Sequence, residues 1–509
     1  MTRKRYGVGI DFGTTNSVAA IYHPDLKKTE PLTDRNSNLP HPSVIWYRAD
    51  GSISVGTDAK NNIMGLSNVE GNAFVYSIKR RLGKERTISI FGKKLPSYEI
   101  ASEIFHYLRK DAETRNQSYE IREAVVTVPV YFDGYARREL RKAADRAGIY
   151  VKNFVHEPFA AIVGYCHREG AGLQMENMEG QIILVFDWGG GTLDITLAQI
   201  NNGGSVELAT SGIEDRAGDH FDNKLVRYSK DDLLDKMNIT PERLQIFPSD
   251  FDRWLTECER AKISLSTDDE EVIQVANISK YDGEYLDMNV EVSRHDFEKL
   301  IEDDVNDSLM EIRNALDAAN VVAKEVDQVL LIGGSSHIPL VRQHLRELFG
   351  HRIVEIGNAN TIIAEGAAIV DAEGLQPVLA RSLNIELSDG TLYEIFKPRT
   401  LADPNVCHKK VNFFCTDNRD GVAKLVIKEL AGRIDANRPL MKRVLSIPVS
   451  ESLPMPYQHE RVTVDLGLDE DMILHISGKG ATQDIGASCE IYDLCFGLRL
   501  EGVGDGLEP

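Results

Sequence analysis

Cysteine is scarce in this sequence, and no two cysteines form a Cys-x-x-Cys pair. The six cysteines are Cys166, Cys258, Cys407, Cys415, Cys489 and Cys495. Cysteines that are so few and so widely spaced argue against a disulfide-dense fold and against a thiolate metal or redox centre. We therefore predict buried free thiols.

Long apolar runs and excess positive charge are also missing. No window approaches the roughly eighteen apolar residues of a membrane-spanning helix, and the basic residues 2–5 lead into a strand-like segment, not into the apolar core of a secretion signal. Acidic residues outnumber basic ones by 79 to 58, which gives a formal net charge of −21. We expect a cytoplasmic protein without nucleic-acid or membrane partners.

What is present fits a folded chain of several domains. With 42% hydrophobic and 27% charged residues among 509, the chain has enough material for about three domains. Up to about residue 370, compact apolar runs alternate with amphipathic stretches, which predicts an α/β architecture. The predicted strands are residues 8–10, 124–128, 182–186 and 329–332, and the predicted helices are residues 100–114, 134–147, 251–265 and 293–319.

From about residue 381 the pattern changes to short alternating runs separated by Gly, Asp, Asn and Pro, which predicts an all-β domain. Its predicted strands include residues 383–387, 424–428, 444–449 and 461–466. The predicted organisation is therefore a first unit at 1–371, a linker at 372–380, a β-domain at 381–500 and a flexible tail at 501–509.

One motif occurs twice. Residues 9–17 (GIDFGTTNS) and residues 185–194 (VFDWGGGTLD) each place an Asp, Asp11 or Asp187, at the end of an apolar strand before glycines and hydroxyl residues. Glycines let a backbone approach phosphate closely, N–H and Thr hydroxyl groups donate to phosphate oxygens, and a strand-end carboxylate can hold a divalent cation. A single copy could be an ordinary tight turn, but the repetition predicts a clamp around a nucleoside polyphosphate.

A third glycine turn, residues 333–340 (GGSSHIPL), follows the apolar strand 329–332. A helical pattern resumes after Pro339, so the turn offers a backbone surface at a strand-to-helix junction. It could serve packing alone. Together with the other two loops it favours contact with the base of a nucleotide.

These loops, in this order and spacing, closely resemble the ATPase domain of the seventy-kilodalton heat-shock (DnaK-type) chaperone family. Residues 124–132 (AVVTVPVYF), 155–161 (VHEPFAA) and 258–262 (CERAK) extend the resemblance. It implies an actin-like, two-lobed α/β ATPase domain of duplicated ribonuclease-H-like subdomains. Residues 382–386, 425–427, 462–465 and 473–477 are similar to strands of the family's β-sandwich peptide-binding domain, and the loop 416–422 corresponds roughly to one over the peptide groove. The family's C-terminal helical lid has no counterpart before residue 509, so we expect a lidless variant.

The resemblance also implies site residues. Family aspartates matching Asp11 and Asp187 surround magnesium and its water ligands, the lysine matching Lys79 lies near the γ-phosphate, and the glutamate matching Glu157 orients the attacking water. On the residues alone, Lys79 could be a solvated lysine and Glu157 a carboxylate favoured at a helix N-terminus. The implied catalytic set is Asp11, Lys79, Glu157, Asp187 and Thr192. The implied nucleotide contacts are Gly13, Thr14, Thr15, Asn16, Gly189, Gly190, Gly191, Asp194, Gly218, Glu259, Lys262, Ile263, Ser266, Gly333, Gly334, Ser335, His337 and Asn360. The implied cofactors are ATP or ADP, Mg²⁺ and, near Asp194, K⁺.

Several positions depart from the family pattern. Ile263 and His337 replace two arginines that stack on adenine, which predicts weaker nucleotide binding or an altered base preference. The second-lobe Gly-Gly-Glu-Asp is here residues 217–220 (AGDH). Asn153 replaces an arginine that helps receive J-domain co-chaperones, so such a partner would be absent, specialised or bound elsewhere. The linker residues 373–377 (EGLQP) lack the apolar side chains that normally dock on the ATPase domain.

We therefore predict a slow ATPase that couples its nucleotide state to the binding of unfolded or extended apolar peptides, with a nucleotide-exchange factor among its partners. The rival hypothesis is a degenerate chaperone that senses nucleotide and serves one dedicated protein partner, with little or no turnover. A sugar or metabolite kinase is a third hypothesis, but nothing in the chain resembles the substrate domain of such an enzyme.

Overall fold

The structure is a computed structural model. It describes residues 6–499 except 67–68, 85–86, 118, 131, 202–203, 244–245, 247, 282–283, 355, 431–439 and 452–458. The predicted tail, residues 501–509, lies outside the described residues. Within the described residues, no helix is long and apolar enough to span a membrane.

The first lobe is built on a mixed sheet with the strand order β11-β10-β1-β2-β3, and β4 pairs with β2. Its elements are β1 (Gly7–Phe12), β2 (Asn16–His23), β3 (Lys28–Leu32), β4 (His41–Pro42), β5 (Ile45–Arg48), β6 (Ile53–Val55), α1 (Thr57–Leu66), β7 (Asn72–Val75), β8 (Thr87–Ile90), β9 (Lys93–Pro96), α2 (Ser97–Arg115), β10 (Glu123–Val128), α3 (Gly134–Arg146), β11 (Tyr150–His156) and α4 (Glu157–Cys166).

The second lobe repeats this plan, because its sheet contains the order β20-β19-β14-β15-β16. In both lobes an antiparallel set of three strands is extended by two parallel strands. The elements are β12 (His167–Arg168), β13 (Gly172–Leu173), β14 (Ile182–Trp188), β15 (Thr192–Asn201), β16 (Gly204–Glu214), α5 (Gly218–Met237), α6 (Pro248–Ser264), β17 (Glu270–Tyr281), β18 (Glu284–Ser293), α7 (Arg294–Ala319), β19 (Gln328–Ile332), α8 (Pro339–Phe349), β20 (Ile353–Val354) and α9 (Ile362–Glu373).

The remaining strands form mainly a two-sheet β-sandwich, with the orders β23-β22-β25-β26 and β24-β27-β28-β29. They are β21 (Gln376–Leu379), β22 (Ser382–Glu386), β23 (Leu392–Phe396), β24 (His408–Cys415), β25 (Val422–Leu430), β26 (Leu440–Pro448), β27 (Glu460–Leu468), β28 (Leu474–Gly480), β29 (Ala487–Ile491) and β30 (Phe496–Arg499). The loop predicted to cover a groove falls between β24 and β25.

The sequence periodicity predicted these elements well. Each of the four predicted strands and four predicted helices of the α/β unit corresponds to an observed element, and the four predicted β-domain strands correspond to β22, β25, β26 and β27. Local chemistry explains the sharp start of α7: Ser293 and Asp296 form a reciprocal capping box that satisfies two backbone N–H groups.

The sheet of the second lobe does not end at β16. Strand β30 pairs with β16 through Ser205 and Val206, and β21 pairs with β30. The predicted linker thus includes the end of α9 and all of β21. Within the segment 373–377, which we expected to lack docking side chains, Leu375 is buried and belongs to the same apolar cluster as Val18 and Ile362. The expectation is therefore wrong for this residue. The sheet of the second lobe therefore includes the two strands that precede and follow the β-sandwich in the chain.

A second contact, which we call the docking interface, joins α3 of the first lobe to residues 469–473 and Tyr492 of the sandwich. Arg137 is 1% exposed and donates to the carbonyl oxygens of Asp471 (2.6 Å), Met472 (3.2 Å) and Tyr492 (3.0 Å). A Cβ added at Gly134 would lie 2.3 Å from Ile473 Cγ1, so the two surfaces approach closely. The sandwich is therefore held at two places, by a strand and by a buried guanidinium.

All six cysteines are free thiols. The prediction of burial is correct for Cys166, Cys258, Cys407 and Cys415, whereas Cys489 and Cys495 are only partly buried.

Candidate functional site

The two glycine loops predicted from the sequence face each other between the lobes. The first, residues 13–15, connects β1 to β2, and the second, residues 189–191, connects β14 to β15. A Cβ added at Gly190 would lie only 2.1 Å from Thr15 Oγ1, and one at Gly191 would lie 3.2 Å from Thr14 Cγ2. A side chain at position 190 would therefore force Thr15 of the opposite lobe to move.

Each loop begins beside a partly buried carboxylate at the same place in its sheet. Asp11 and Asp187 are the penultimate residues of β1 and β14. Asp11 accepts a hydrogen bond from Thr127 Oγ1 at 2.9 Å. Asp194, the third residue after the second loop, accepts one from Thr192 Oγ1 at 2.9 Å. The repeated topology thus brings three carboxylates to one cleft.

These carboxylates are poorly compensated. Burial, followed by the nearby Glu157, raises the pKa of Asp11 to about 6 and that of Asp194 to about 7. The same two causes raise the pKa of Asp187 well above its ordinary value. Lys79 opposes all three shifts without cancelling them. The cleft therefore has an excess of negative charge that a cation would relieve.

Lys79 and Glu157 form a buried ion pair in this cleft. Lys79 lies in the single helical turn Ile78–Arg81, Glu157 is the first residue of α4, and Lys79 Nζ donates to Glu157 Oε1 at 2.6 Å. They are 5% and 8% exposed. Burial alone would lower the pKa of Lys79, but Glu157 and the aspartates outweigh it and raise that pKa. Lys79 is thus a cation at neutral pH, suited to stabilising negative charge and not to accepting a proton.

The second loop is held by hydrogen bonds from the start of α5 and from the third glycine turn. The backbone N–H groups of Gly218 and Asp219 donate to the carbonyl oxygens of Gly189 (3.1 Å) and Gly190 (2.7 Å). Ser335 Oγ donates to the Gly189 carbonyl oxygen at 2.9 Å. Gly333 has a φ of +77°, and a Cβ there would lie 2.6 Å from Asp187 Oδ1. Loops two and three therefore form one packed unit, with Gly334 exposed at its edge.

The residues predicted to contact ribose and base have varied surroundings. Glu259 accepts from Lys60 Nζ at 2.8 Å, an ion pair between the lobes. Lys262 donates to the Gly218 carbonyl oxygen at 3.0 Å and pairs with Asp222. Ile263 is 60% exposed, and Ser266 lies just beyond α6.

The remaining two predicted base-side residues lie elsewhere in the second lobe. The ring of His337 lies within hydrogen-bonding distance of Arg342, with Nδ1 2.6 Å from the guanidinium. Asn360 is exposed before α9 and makes no side-chain hydrogen bond within the described chain. Within the described chain, no side-chain hydrogen bond or ion pair links Asn360 to the cleft.

A cavity of about 250 Å³ opens beside the second loop. Arg80, which we did not single out from the sequence, reaches it from the first lobe and contacts Asp215 and, at 3.9 Å, Asp219. The basic run around Lys79 was a visible signal for Arg80. The lining residues are Arg80, Gly190, Gly191, Asp215, Asp219, His220, Asn223 and Arg227. Thr127 was also missed as a partner of Asp11, because a buried strand threonine carries no special sequence signal.

The donor set fits the predicted magnesium and phosphate groups. Among the described residues, no cluster of three or more His, Cys, Asp or Glu has direct metal-binding geometry. Asp11 and Asp187 are hard oxygen donors of the kind that Mg²⁺ prefers. Thr15 Oγ1 is buried without a hydrogen-bond partner in the described chain, as expected of a group that awaits a phosphate oxygen.

Two repeated lobes, facing glycine loops and a shared acidic cleft define a two-lobed nucleotide-binding protein that carries a β-sandwich. Comparison with known proteins agrees with this class. A family model described as "Hsp70 protein" matches residues 7–94 and 85–493. The chain is 31% identical over 494 residues to the Chaperone protein DnaK of Thermosipho melanesiensis, covering 94% of this chain and 78% of that protein.

Two further relatives carry the same name. Identity to the Chaperone protein DnaK of Thermotoga neapolitana is 30% over 509 residues, covering 96% of this chain and 80% of that one. Identity to the protein of that name from Mycoplasma mobile is 35% over 368 residues, 72% of this chain and 58% of that one. The chain belongs to the Hsp70 family, which confirms the family predicted from its motifs.

Proposed function

We propose that this chain is an ATP-dependent chaperone that hydrolyses ATP slowly in the cleft between its lobes and uses nucleotide state to control peptide binding by its β-sandwich. The observation that carries the proposal is the buried Lys79–Glu157 pair, 2.6 Å long, set among three carboxylates between two facing glycine loops. Duplicated ribonuclease-H-like subdomains account for the equal strand orders of the two lobes.

Hydrolysis of ATP by water gives ADP and phosphate, and the protein contributes positioning and charge stabilisation. The N–H groups of both loops and the hydroxyls of Thr14, Thr15 and Thr192 would hold the phosphates. Glu157 would orient the attacking water, and the Lys79 ammonium would stabilise negative charge on the γ-phosphate.

Magnesium would be held by Asp11 and Asp187 through water, and when bound it neutralises charge on the phosphate oxygens. Asp194 would complete the acidic side of the cleft, where K⁺ stays a prediction. The base would lie against Ile263 and the His337–Arg342 pair, which supports an altered base preference because an aliphatic face and an imidazole replace two guanidinium groups.

Peptide binding is supported by the edges of the sandwich. β23 and β24 are edge strands of their sheets in the described chain. Leu392, Tyr393 and Phe414 on these strands are exposed, Phe414 by 64%. An exposed edge with apolar side chains can accept an extended apolar segment through backbone hydrogen bonds and side-chain contacts.

The test is steady-state phosphate release from ATP. Lys79→Ala should lower turnover at least about 100-fold, since it removes a buried catalytic charge, while calorimetric ATP affinity changes little. The matched control is Lys84→Ala in the same segment, where the lysine side chain is 68% exposed and turnover should be nearly unchanged. Retained turnover in Lys79→Ala would refute the assigned role, and absence of ATP binding by the unaltered protein at millimolar ATP would refute the function. Silence in turnover with one stoichiometric co-purifying partner would favour the scaffold hypothesis.

A further inference from the structure

A buried histidine lies between the cleft and the β-sandwich. His156 is the last residue of β11 and directly precedes Glu157. Its side chain is 3% exposed, and neither ring nitrogen has a hydrogen-bond partner within the described chain. A buried polar group left without a hydrogen-bond partner is destabilising, so this ring makes its surroundings less stable than an apolar side chain would.

The surroundings of this ring belong partly to the sandwich. The imidazole stacks on Phe159 of α4, with centroids 6.0 Å apart at 11°. Phe496 of β30 meets it edge-on, with centroids 5.9 Å apart at 82°. Phe496 itself pairs with Leu379 of β21. Release of β21 and β30 from the second lobe would therefore take one wall away from the imidazole and let water reach it.

Charges around the ring also oppose its protonation. From α3, Arg137 is the charged group that acts on it, and Arg137 is the residue that donates to three sandwich carbonyl groups. α4 presents Phe159, β30 presents Phe496, and the neighbouring Glu157 carboxylate is engaged by Lys79. His156 is also the residue at the start of α4, where the helix dipole disfavours a cation. Burial first, and Arg137 second, lower the pKa of His156 to about 3.

We propose that His156 makes docking of the β-sandwich sensitive to protons: the imidazole must be neutral while Phe496 covers it, and protonation favours the released sandwich. The inference rests on the docked geometry and not on the proposed ATPase activity.

The direction of the pH effect on docking follows from the linkage between proton binding and docking. The docked state binds the proton less tightly than a released state in which the ring approaches its ordinary pKa of 6.5. Docking is therefore at full strength above about pH 6.5 and weakens as the pH falls toward the docked value. Between pH 7.5 and 5.5 the equilibrium constant for docking should fall by up to about tenfold. His475, which contacts Asp469 (2.8 Å) and Glu490 (3.1 Å) near the docking interface, is the nearby histidine that a control variant must remove.

The experiment measures hydrogen exchange of β21 and β30 in the full chain without nucleotide, at pH 7.5 and 5.5, corrected for the intrinsic effect of pH on exchange. The unaltered protein should lose about 3- to 10-fold in protection on acidification. His156→Leu, which removes both the titration and the unpartnered nitrogens, should lose less than about twofold and start from higher protection.

Two further variants keep the test decisive. His156→Asn, which cannot titrate but stays polar, replaces His156→Leu if the latter unfolds, and should also lose the pH response. His475→Gln removes the other nearby histidine and should still lose protection from hydrogen exchange on acidification, as the unaltered protein does. An equal pH response in the unaltered protein and both His156 variants would overturn the proposal, as would a response abolished by His475→Gln alone. Because no nucleotide is present, failure of the proposed ATPase activity would not affect the result.

Discussion

The nucleotide cleft and the docking interface both bury charge, but they compensate it differently. In the cleft, Asp11, Asp187, Asp194 and Glu157 share Lys79 as their described cation, and the pKa values of the three aspartates are raised. At the interface, Arg137 donates to four carbonyl oxygens, those of Phe132, Asp471, Met472 and Tyr492.

The two regions therefore differ in whether their buried charges need a ligand. Carbonyl groups satisfy the Arg137 guanidinium within the protein, so this charge needs no ligand. The cleft carboxylates lack enough partners, so they favour an incoming cation and its phosphates. A buried charge whose hydrogen-bond partners lie in a second domain indicates a structural contact. Buried charges that lack enough partners indicate a binding site.

The largest expected effect comes from removing the Arg137 guanidinium from the docking interface. Arg137→Met should weaken docking by roughly 3–5 kcal/mol, because it leaves three sandwich carbonyl groups buried and unpaired. Small-angle X-ray scattering should then report a larger radius of gyration. The control, Arg138→Met, removes a partly exposed arginine that contacts Asp469 (3.2 Å) and Asp471 (3.3 Å), and should change the radius less. An unchanged radius in Arg137→Met would show that the sandwich stays docked without the Arg137 guanidinium.

Removing a charge from the cleft should stabilise the protein, whereas removing the Arg137 charge should weaken docking. Asp194→Asn should stabilise the metal-free protein by about 1–3 kcal/mol at pH 7.5, since the neutral side chain avoids burial of a charge. Asp194 has a pKa raised to about 7 from 3.8, so the wild-type protein loses stability as the pH rises through this window and the variant does not. The gain should vanish near pH 4 and be complete above pH 7.

Denaturant unfolding at several pH values measures this gain. Asp389 provides a control, because its side chain is exposed and hydrogen bonds from Thr391 lower its pKa. Asp389→Asn should give no gain at any pH. A loss of stability in Asp194→Asn at pH 7.5 would mean that the cleft charge is already balanced, and would remove the contrast between the two regions.

The smallest effect concerns protons released on ligand binding. Mg²⁺ with ADP should displace protons from Asp11 and Asp194, whose pKa values are about 6 and 7. Calorimetry in buffers of different ionisation enthalpy should show release of a fraction of a proton to about one proton at pH 6.5, and almost none at pH 8.5. Omission of Mg²⁺ should reduce the release. Equal values at both pH values would contradict the raised pKa values in the cleft.

Much of the cleft could be predicted from the sequence because its residues lie in short contiguous motifs. Asp11, Thr15, Asp187 and Gly190 follow apolar strands directly, and strand ends of a repeated sheet meet by topology. Family resemblance, in turn, drew attention to Lys79 and Glu157, which lie far apart in the chain.

The docking interface could not be predicted in this way. Arg137 lies on an amphipathic helix among other arginines, and nothing in its neighbours distinguishes a buried guanidinium from a solvated one. Its partners are backbone carbonyl groups, which every residue has. Strand β30 was likewise hidden, because Phe496 to Arg499 is too short to show a period and its partner strand β16 is remote in sequence.

The position of β30 also has a consequence for synthesis of the chain. Strand β30 is made long after strand β16 because it lies far downstream in the chain, so at about 5–20 residues per second the pairing edge at Ser205 would wait about 15–60 s on the ribosome. During that interval an exposed strand edge could pair with another chain. The short contact at Ser205 and Val206 limits the length of edge at risk, and a nascent chain stalled before β30 should be more prone to aggregate than the finished protein.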